Sequence, residues 1–284
     1  MINIAKRNIR LFFRDKTSVF FSSLSVIIIM SLYVLFLGDM MSNWEGGVTG
    51  VRFLMDSWIV AGLVAASSVT STLGALGVIV EDYSKNIVKD FYSSPIKKST
   101  LIGGYLISSF VIGTIMSCLA LVFGELYIII NGGELLSLFD LLKVFGVIVL
   151  STFANSAILF LVISFIRTQN AFSTLSIIIG TIIGFLMGIY VPVGALPDFI
   201  QKLMKVFPGT YSVALFRTII MKEPMGEVFA QAPEAEMSRF ALEMGVVIKI
   251  GNWQVTPLFA IMFLVVMGIL FYGISILRLR TKKS

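Results

Sequence analysis

Histidine is absent from the chain, and cysteine occurs once, as Cys118. Without imidazole, metal sites built on His and triads of the Ser-His-Asp kind are excluded. A single thiol forms neither an internal disulfide nor a CxxC centre. No Gly-Lys dipeptide occurs, so the chain has no phosphate-binding loop of the GxxxxGK[S/T] kind and does not hydrolyse nucleotide by that route itself. Charge is also scarce. Asp, Glu, Lys and Arg make up 13% of 284 residues, about half the share in soluble domains. The net charge of +6 gives nucleic-acid binding no support beyond that number.

What fills the sequence instead is hydrophobic, at 57%. Six runs contain no charged residue: Thr17–Gly38, Ser57–Val80, Ser99–Gly124, Val144–Ile166, Thr168–Pro197 and Ile250–Leu277. Each exceeds the roughly 20 residues needed to cross a hydrocarbon core of about 30 Å. A central charge opposes insertion by about 2.5 to 3.5 kcal/mol, whereas each Leu, Ile, Phe or Val favours it by about 0.3 to 0.6. One charge would therefore cancel about six good residues, and these runs carry none. The expectation is an all-α membrane protein with six transmembrane helices.

Six spans put both ends on one side. That side collects Lys6, Arg7, Arg10, Arg14 and Lys16, then Lys85, Lys89, Lys97 and Lys98, then Arg167, and finally Arg278, Arg280, Lys282 and Lys283. These 14 basic groups face only Asp15, Glu81, Asp82 and Asp90; the other side holds 8 basic and 12 acidic groups. The positive-inside rule places both termini in the cytoplasm. The first run, with 22 uncharged residues and no A-x-A-like site after it, is too long for a cleavable signal and reads as an anchor.

Residues 1–16 divide into Ile2, Ala5, Ile9, Phe12 and Phe13 on one helical face and Asn3, Lys6, Arg7, Arg10 and Arg14 on the other. That pattern suits an interfacial helix on an anionic leaflet. Between spans two and three, Ile87, Val88, Phe91 and Tyr92 form an apolar stripe, and Pro95 ends it. A short connection needs no such stripe, so residues 81–98 are a candidate docking helix for a partner's groove. Gly180, Gly184 and Gly188 make two GxxxG steps in span five, a spacing that serves either helix packing or dimerisation in lipid. Asn155 in span four is expected to bond across helices. After span five, Pro192, Leu196 and Pro197 break the chain. An apolar segment through Phe207 follows, then Pro208-Gly209, then a second from Tyr211 to Ile220. Both are too short to cross and read as re-entrant elements. Residues 223–249 are more polar and acidic, the expected make-up of a small exposed cap.

This order of parts resembles the membrane subunits of type-2 ATP-binding-cassette (ABC) exporters over nearly the whole chain. The likeness is carried by the basic helix ending Arg14-Asp15, by Glu81 opening a cytoplasmic helix that closes in Ser94-Pro95-Ile96, by Pro192 and Leu196-Pro197, and by Phe207-Pro208-Gly209-Thr210-Tyr211 with Arg217 after it. The resemblance implies a connecting helix over 1–16 (Arg7, Arg10, Arg14, Asp15) and a six-span permease domain over 17–278. Within that domain it implies a coupling helix at 81–98, where Glu81, Asp82, Ile87, Val88, Phe91, Tyr92 and Pro95 would meet a P-loop ATPase subunit. Re-entrant helices at 192–222 would carry an outer gate of Pro192, Leu196, Pro197, Pro208 and Tyr211. A cap at 223–253 and a basic tail at 279–284 complete the scheme. Members often place a basic residue directly after the glutamate, where this chain has Asp82. The implied working unit pairs two permease chains, alike or different, with two ATPases in a bacterial plasma membrane. It puts no cofactor, catalytic group or metal on this chain, ATP and Mg on the partner, and a hydrophobic or amphiphilic compound, peptide, lipid or glycan in the pathway as cargo.

Other classes fit less well. An intramembrane enzyme needs acid, base or nucleophile at bilayer depth, and the six runs supply no His, no carboxylate and no GxSG element. An ion-coupled carrier lacks intramembrane charge for the same reason, and no repeat relates the two halves. A passive channel or membrane scaffold is the remaining alternative, without a filter-like TVGYG stretch to favour it.

Overall fold

Hydrocarbon offers the backbone no hydrogen-bond partner, so a chain of this composition must satisfy its peptide groups within helices. The computed structural model describes residues 1–37 and 50–281, without the side chains of Phe21, Ser25, Phe36, Leu37, Tyr92 and residues 278–281. Its helices, in order, are α1 (Ile2–Arg14), α2 (Lys16–Leu32, continuing through a π-helical turn Tyr33–Leu37), α3 (Val51–Ser84), α4 (Ile87–Ser93), α5 (Lys98–Ile130) and α6 (Leu138–Ile163). Then come α7 (Gln169–Leu186), α8 (Asp198–Met204), α9 (Pro208–Ile220), α10 (Lys222–Val228), α11 (Glu234–Glu243) and α12 (Pro257–Thr281). A two-residue antiparallel ribbon, Lys249–Ile250 with Trp253–Gln254, precedes α12. Six of these helices, α2, α3, α5, α6, α7 and α12, are long and apolar enough to cross a membrane. The protein is an all-α membrane protein, as its uncharged runs require.

Helix α3 is the hub. Its 34 residues extend about 50 Å at 1.5 Å per residue, and it packs against α2, α5, α6, α7 and α9. Ala61, Gly62, Ala65, Ala66, Ser67, Ser68, Ser71 and Ala75 give its middle a surface of small side chains. Small residues let helix backbones approach closely in lipid, where no hydrophobic force draws helices together. Gly113 of α5 lies against Thr72, and a Cβ on Gly124 would stand 2.5 Å from Val60 Cγ1. The buried hydroxyls turn back onto their own helix, Ser68 Oγ to the Ala65 carbonyl at 2.7 Å and Thr72 Oγ1 to the Ser68 carbonyl at 2.6 Å. Asn155 of α6 then donates to Ser68 Oγ at 3.0 Å, the interhelical bond expected of a lone amide.

Three expectations need correction. The uncharged runs mark only the hearts of the helices: α3 and α5 continue past them and carry Asp56 and Glu125, both buried. Tyr33 donates to Asp56 Oδ1 at 2.9 Å, and the Leu136 amide to Glu125 Oε2 at 3.2 Å. Buried acids thus do occur in the span helices. Second, Gly180, Gly184 and Gly188 do not share one helix face. Helix α7 ends at Leu186, and Gly188 lies beyond it with φ +59°, the left-handed turn common after a helix C-terminus. Gly184 leaves room for the Tyr190 ring of its own chain, while nothing lies within 4 Å of a Cβ on Gly180. Third, α1 does not simply rest on a surface. Ile4, Asn8 and Phe12 are buried, whereas Ile2 and Phe13 are exposed. Its seat is the Gly103-Gly104 step of α5, where a Cβ on Gly104 would be 2.6 Å from Ile4 Cγ2.

Close packing at Gly124 and open space at Gly180 give opposite expectations for the same substitution. Gly124→Leu should lower unfolding stability by about 1–3 kcal/mol through overpacking, and Gly180→Leu by less than about 0.5. Thermal unfolding of the purified protein in detergent checks both, and equal midpoints would contradict the packing described.

Candidate functional site

Two polar clusters hold the ends of α3. At the end nearer α1, Arg7 makes a bidentate contact with Asp82, both N–O distances being 2.7 Å, and Tyr105 of α5 donates to Asp82 Oδ2 at 2.5 Å. Asp82 is 2% exposed and Arg7 31%, so the carboxylate depends wholly on its partners while the guanidinium also reaches water. The Asp82 hydrogen bond holds the Arg7 guanidinium above its usual pKa. Arg7 also passes over the Phe91 ring at 5.5 Å, and Arg167 covers Tyr83 at 4.2 Å. These contacts join α1, α3, α4 and α5, with the α6–α7 connection leaning on them.

Helix α4 is set off from α3 by Asn86, in the left-handed conformation with φ 61°. That break relocates several residues foreseen for partner contact. Glu81 does not open the short helix; it lies in the last turn of α3, exposed, paired to Lys85 at 2.5 Å. Asp82 is consumed by Arg7 and Tyr105. Two residues of the apolar stripe face inward: Val88 is buried beside Ile79, Leu101, Ile102 and Phe160, and Phe91 packs on the core, while Ile87 is half-buried. A seven-residue helix on a membrane protein must first secure itself to its own bundle, and its apolar side does that. The outward face is Lys89, Asp90, Ser93, Pro95 and Ile96. The Tyr92 side chain and those of the basic tail lie outside the described residues. On α1, Arg10, Arg14 and Asp15 are exposed, and Asp15 caps α2 by accepting from the Thr17 amide at 3.0 Å and Ser18 Oγ at 2.6 Å. Those bonds, Ser18 first, hold the Asp15 carboxyl below its usual pKa.

At the opposite end, Arg217 of α9 is 1% exposed. It donates from Nη2 to the Gly188 carbonyl at 2.6 Å and from Nη1 to the Met244 carbonyl at 2.8 Å. Its guanidinium stands 4.6 Å from the Trp58 ring, and Trp58 Nε1 donates to the same Met244 carbonyl at 2.9 Å. Gly188 and Met244 lie just past α7 and α11, where unpaired carbonyls carry the negative end of the helix dipole. The cation therefore ties two helix ends to α3. Thr210 adds a bond to the Leu186 carbonyl at 2.9 Å. The sequence marked Arg217 as part of the family resemblance but gave it no role; its partners lie 27 and 29 positions away, which no spacing rule reveals. Of the residues foreseen as a gate, Pro208 begins α9 at the position where its missing N–H costs least. Tyr211 is buried, donating to the Lys205 carbonyl at 2.6 Å and stacking near Phe263 at 4.5 Å. Pro192 and Pro197 precede a 3₁₀ turn and α8, and the Leu196 carbonyl accepts from Gln201.

Six apolar helices, one of them the small-residue hub α3, with a short helix presented at one end, define a multi-pass membrane domain. Residues 49–277 match the family of ABC-2 family transporter proteins, and the chain belongs to that family. It is an ABC transporter permease subunit, a class that works in a membrane with an ABC ATPase subunit. No curated protein matches the chain.

Removing one partner of a buried ion pair costs about 3–5 kcal/mol when the other stays buried. Arg7→Ala strands Asp82 and should cost about 3 kcal/mol, while Asp82→Ala, leaving Arg7 free to reach water, should cost clearly less. Denaturant unfolding in detergent measures the asymmetry, and equal losses would refute it. Arg217→Lys should lose about 2 kcal/mol, because an ammonium cannot span both carbonyls in the same fork; an unchanged unfolding midpoint would contradict the clamp.

Proposed function

We propose that this chain is the permease of an ABC exporter, forming the translocation path as a pair and driven by separate ATPase chains that hold ATP and Mg. The observation that carries the reading is α4. It is a short helix with its apolar side locked to the bundle and Lys89, Asp90, Ser93, Pro95 and Ile96 facing out, attached to the spans through Arg7, Asp82 and Tyr105. A partner gripping that outer face moves α4, and the packed Val88 and Phe91 pass the displacement to the ends of α3 and α5. The excess of Lys and Arg at this end favours a cytoplasmic side for it and for both termini, and the family resemblance favours a bacterial plasma membrane. Residues 192–222 then form re-entrant helices at the outer mouth, and 223–253 the cap above them. Cargo that enters among Phe, Ile and Met side chains is hydrophobic or amphiphilic. An internal anchoring role for Val88 and Phe91 moves the docking face to the exposed side of the helix.

Purification from native membranes in mild detergent, with partners identified by mass spectrometry, tests the assembly. A P-loop ATPase at one copy per permease chain is expected, and its absence where a control transporter stays intact would overturn the reading in favour of a channel or scaffold. Lys89→Glu with Ile96→Asp, both at exposed positions, should release the ATPase at least tenfold more readily while stability changes by less than about 0.5 kcal/mol per site. Retained co-purification would remove this face of α4 from the interface.

A further inference from the structure

Beside Arg217 lies a cavity of about 200 Å³ between α8, α9, α11 and the segment leading to the ribbon. Its wall includes Lys205, Arg217 and Lys249, three cations, against one acid, Glu243. Glu243 is already engaged by Arg239 at 2.8 Å. Among the described residues no carboxylate pairs with Lys205, Lys249 or Arg217, and Arg217 Nε, buried, has no acceptor. Two helix ends give Arg217 only partial negative charge, roughly half an elementary charge each. Buried cations are ordinarily paired with an acid or a ligand. The rest of the lining is apolar, with Met187, Val193, Met204 and Ile248, and Thr210 adds a hydroxyl.

We infer that this cavity binds the anionic headgroup of an amphiphile, a phosphate ester or carboxylate, whose apolar tail leaves along the Met- and Val-lined wall. Drug-sized ligands fill about 300–1,000 Å³, so a cavity of about 200 Å³ takes a headgroup and its first carbons and not a whole lipid. Lys205 and Lys249 stand at the rim and meet the anion; Arg217, bound to its two carbonyls, supplies fixed positive charge behind it. Two sources share this chemistry, a bilayer lipid and a transported amphiphile. The site does not depend on ATPase coupling.

The test uses the full chain, with any ATPase that co-purifies, in dodecyl maltoside, and titrates decyl phosphate by microscale thermophoresis. Saturable binding is expected, at least tenfold weaker in Lys205→Gln/Lys249→Gln and lost in Val247→Phe, which fills the cavity from a half-buried position. Decyltrimethylammonium, of opposite charge, should not bind there. Equal affinity in wild type and both variants, or an equal response to the cation, would overturn the site. Phosphatidylglycerol retained by the wild type and lost from the double lysine variant would identify a lipid as the source. Decyl phosphate that alters ATP hydrolysis by the complex, in the wild type only, would identify a transported amphiphile. Binding by a chain that recovers no ATPase would keep the site and refute the coupled-exporter reading, so the two fail separately.

Discussion

Helices in lipid gain nothing by hiding apolar surface from one another, because the solvent is as apolar as they are. Everything in this bundle follows from how it answers that constraint. Along α3, Ala, Gly and Ser replace bulk, and five other helices come close enough for dispersion and short polar contacts to hold. Polar contacts in membranes are individually small, averaging about 0.6 kcal/mol in one well-measured protein, so the Asn155–Ser68 bond specifies register more than it supplies stability. The peripheral helices α2, α7 and α12 show the complementary solution, keeping Ile, Leu and Phe outward where hydrocarbon accepts them.

Both ends of the hub are tied by charge. Asp82 near one end and Trp58 near the other are 24 residues apart on a single unbroken helix, with Arg7 on the first and Arg217 on the second. The two arginines use different partners for the same reason. Arg7 has access to water and meets a full carboxylate, while Arg217 has none and meets carbonyl dipoles and an aromatic face. One continuous helix joins the two ties. The helix is interrupted at Asn86, whose left-handed turn sets the direction α4 takes from α3.

Span number and helix type were legible in the sequence because desolvation of one charge outweighs several apolar residues, so uncharged runs of this length have little alternative. Helix ends were less legible: peptide hydrogen bonding carries α3 on through Asp56 and Glu81, past where hydropathy falls. The stripe of Ile87, Val88 and Phe91 was visible as a stripe, but periodicity does not say whether an apolar face seeks a partner or its own bundle. The glycines of span five misled for a related reason. A spacing of four implies one face only while the helix lasts, and it stops before Gly188. The true small-residue seam, spread all round α3, has no single face to display and so leaves little periodic signal. Arg7–Asp82, 75 positions apart, is a tertiary fact without a local signature.

The Trp58–Met244 hydrogen bond spans 186 positions, and that separation has a temporal meaning. Ribosomes add about 5–20 residues per second, so about 10–40 s pass between synthesis of the indole and synthesis of the carbonyl it needs. Throughout that interval the Trp58 indole lacks its Met244 acceptor, and Arg217 is made before Met244 is. The knot therefore closes only when nearly the whole polypeptide has been made. A chain stopped before Met244 lacks both the indole's acceptor and one of the two carbonyls that hold Arg217, so this clamp is left half made, with α12 still to be synthesised.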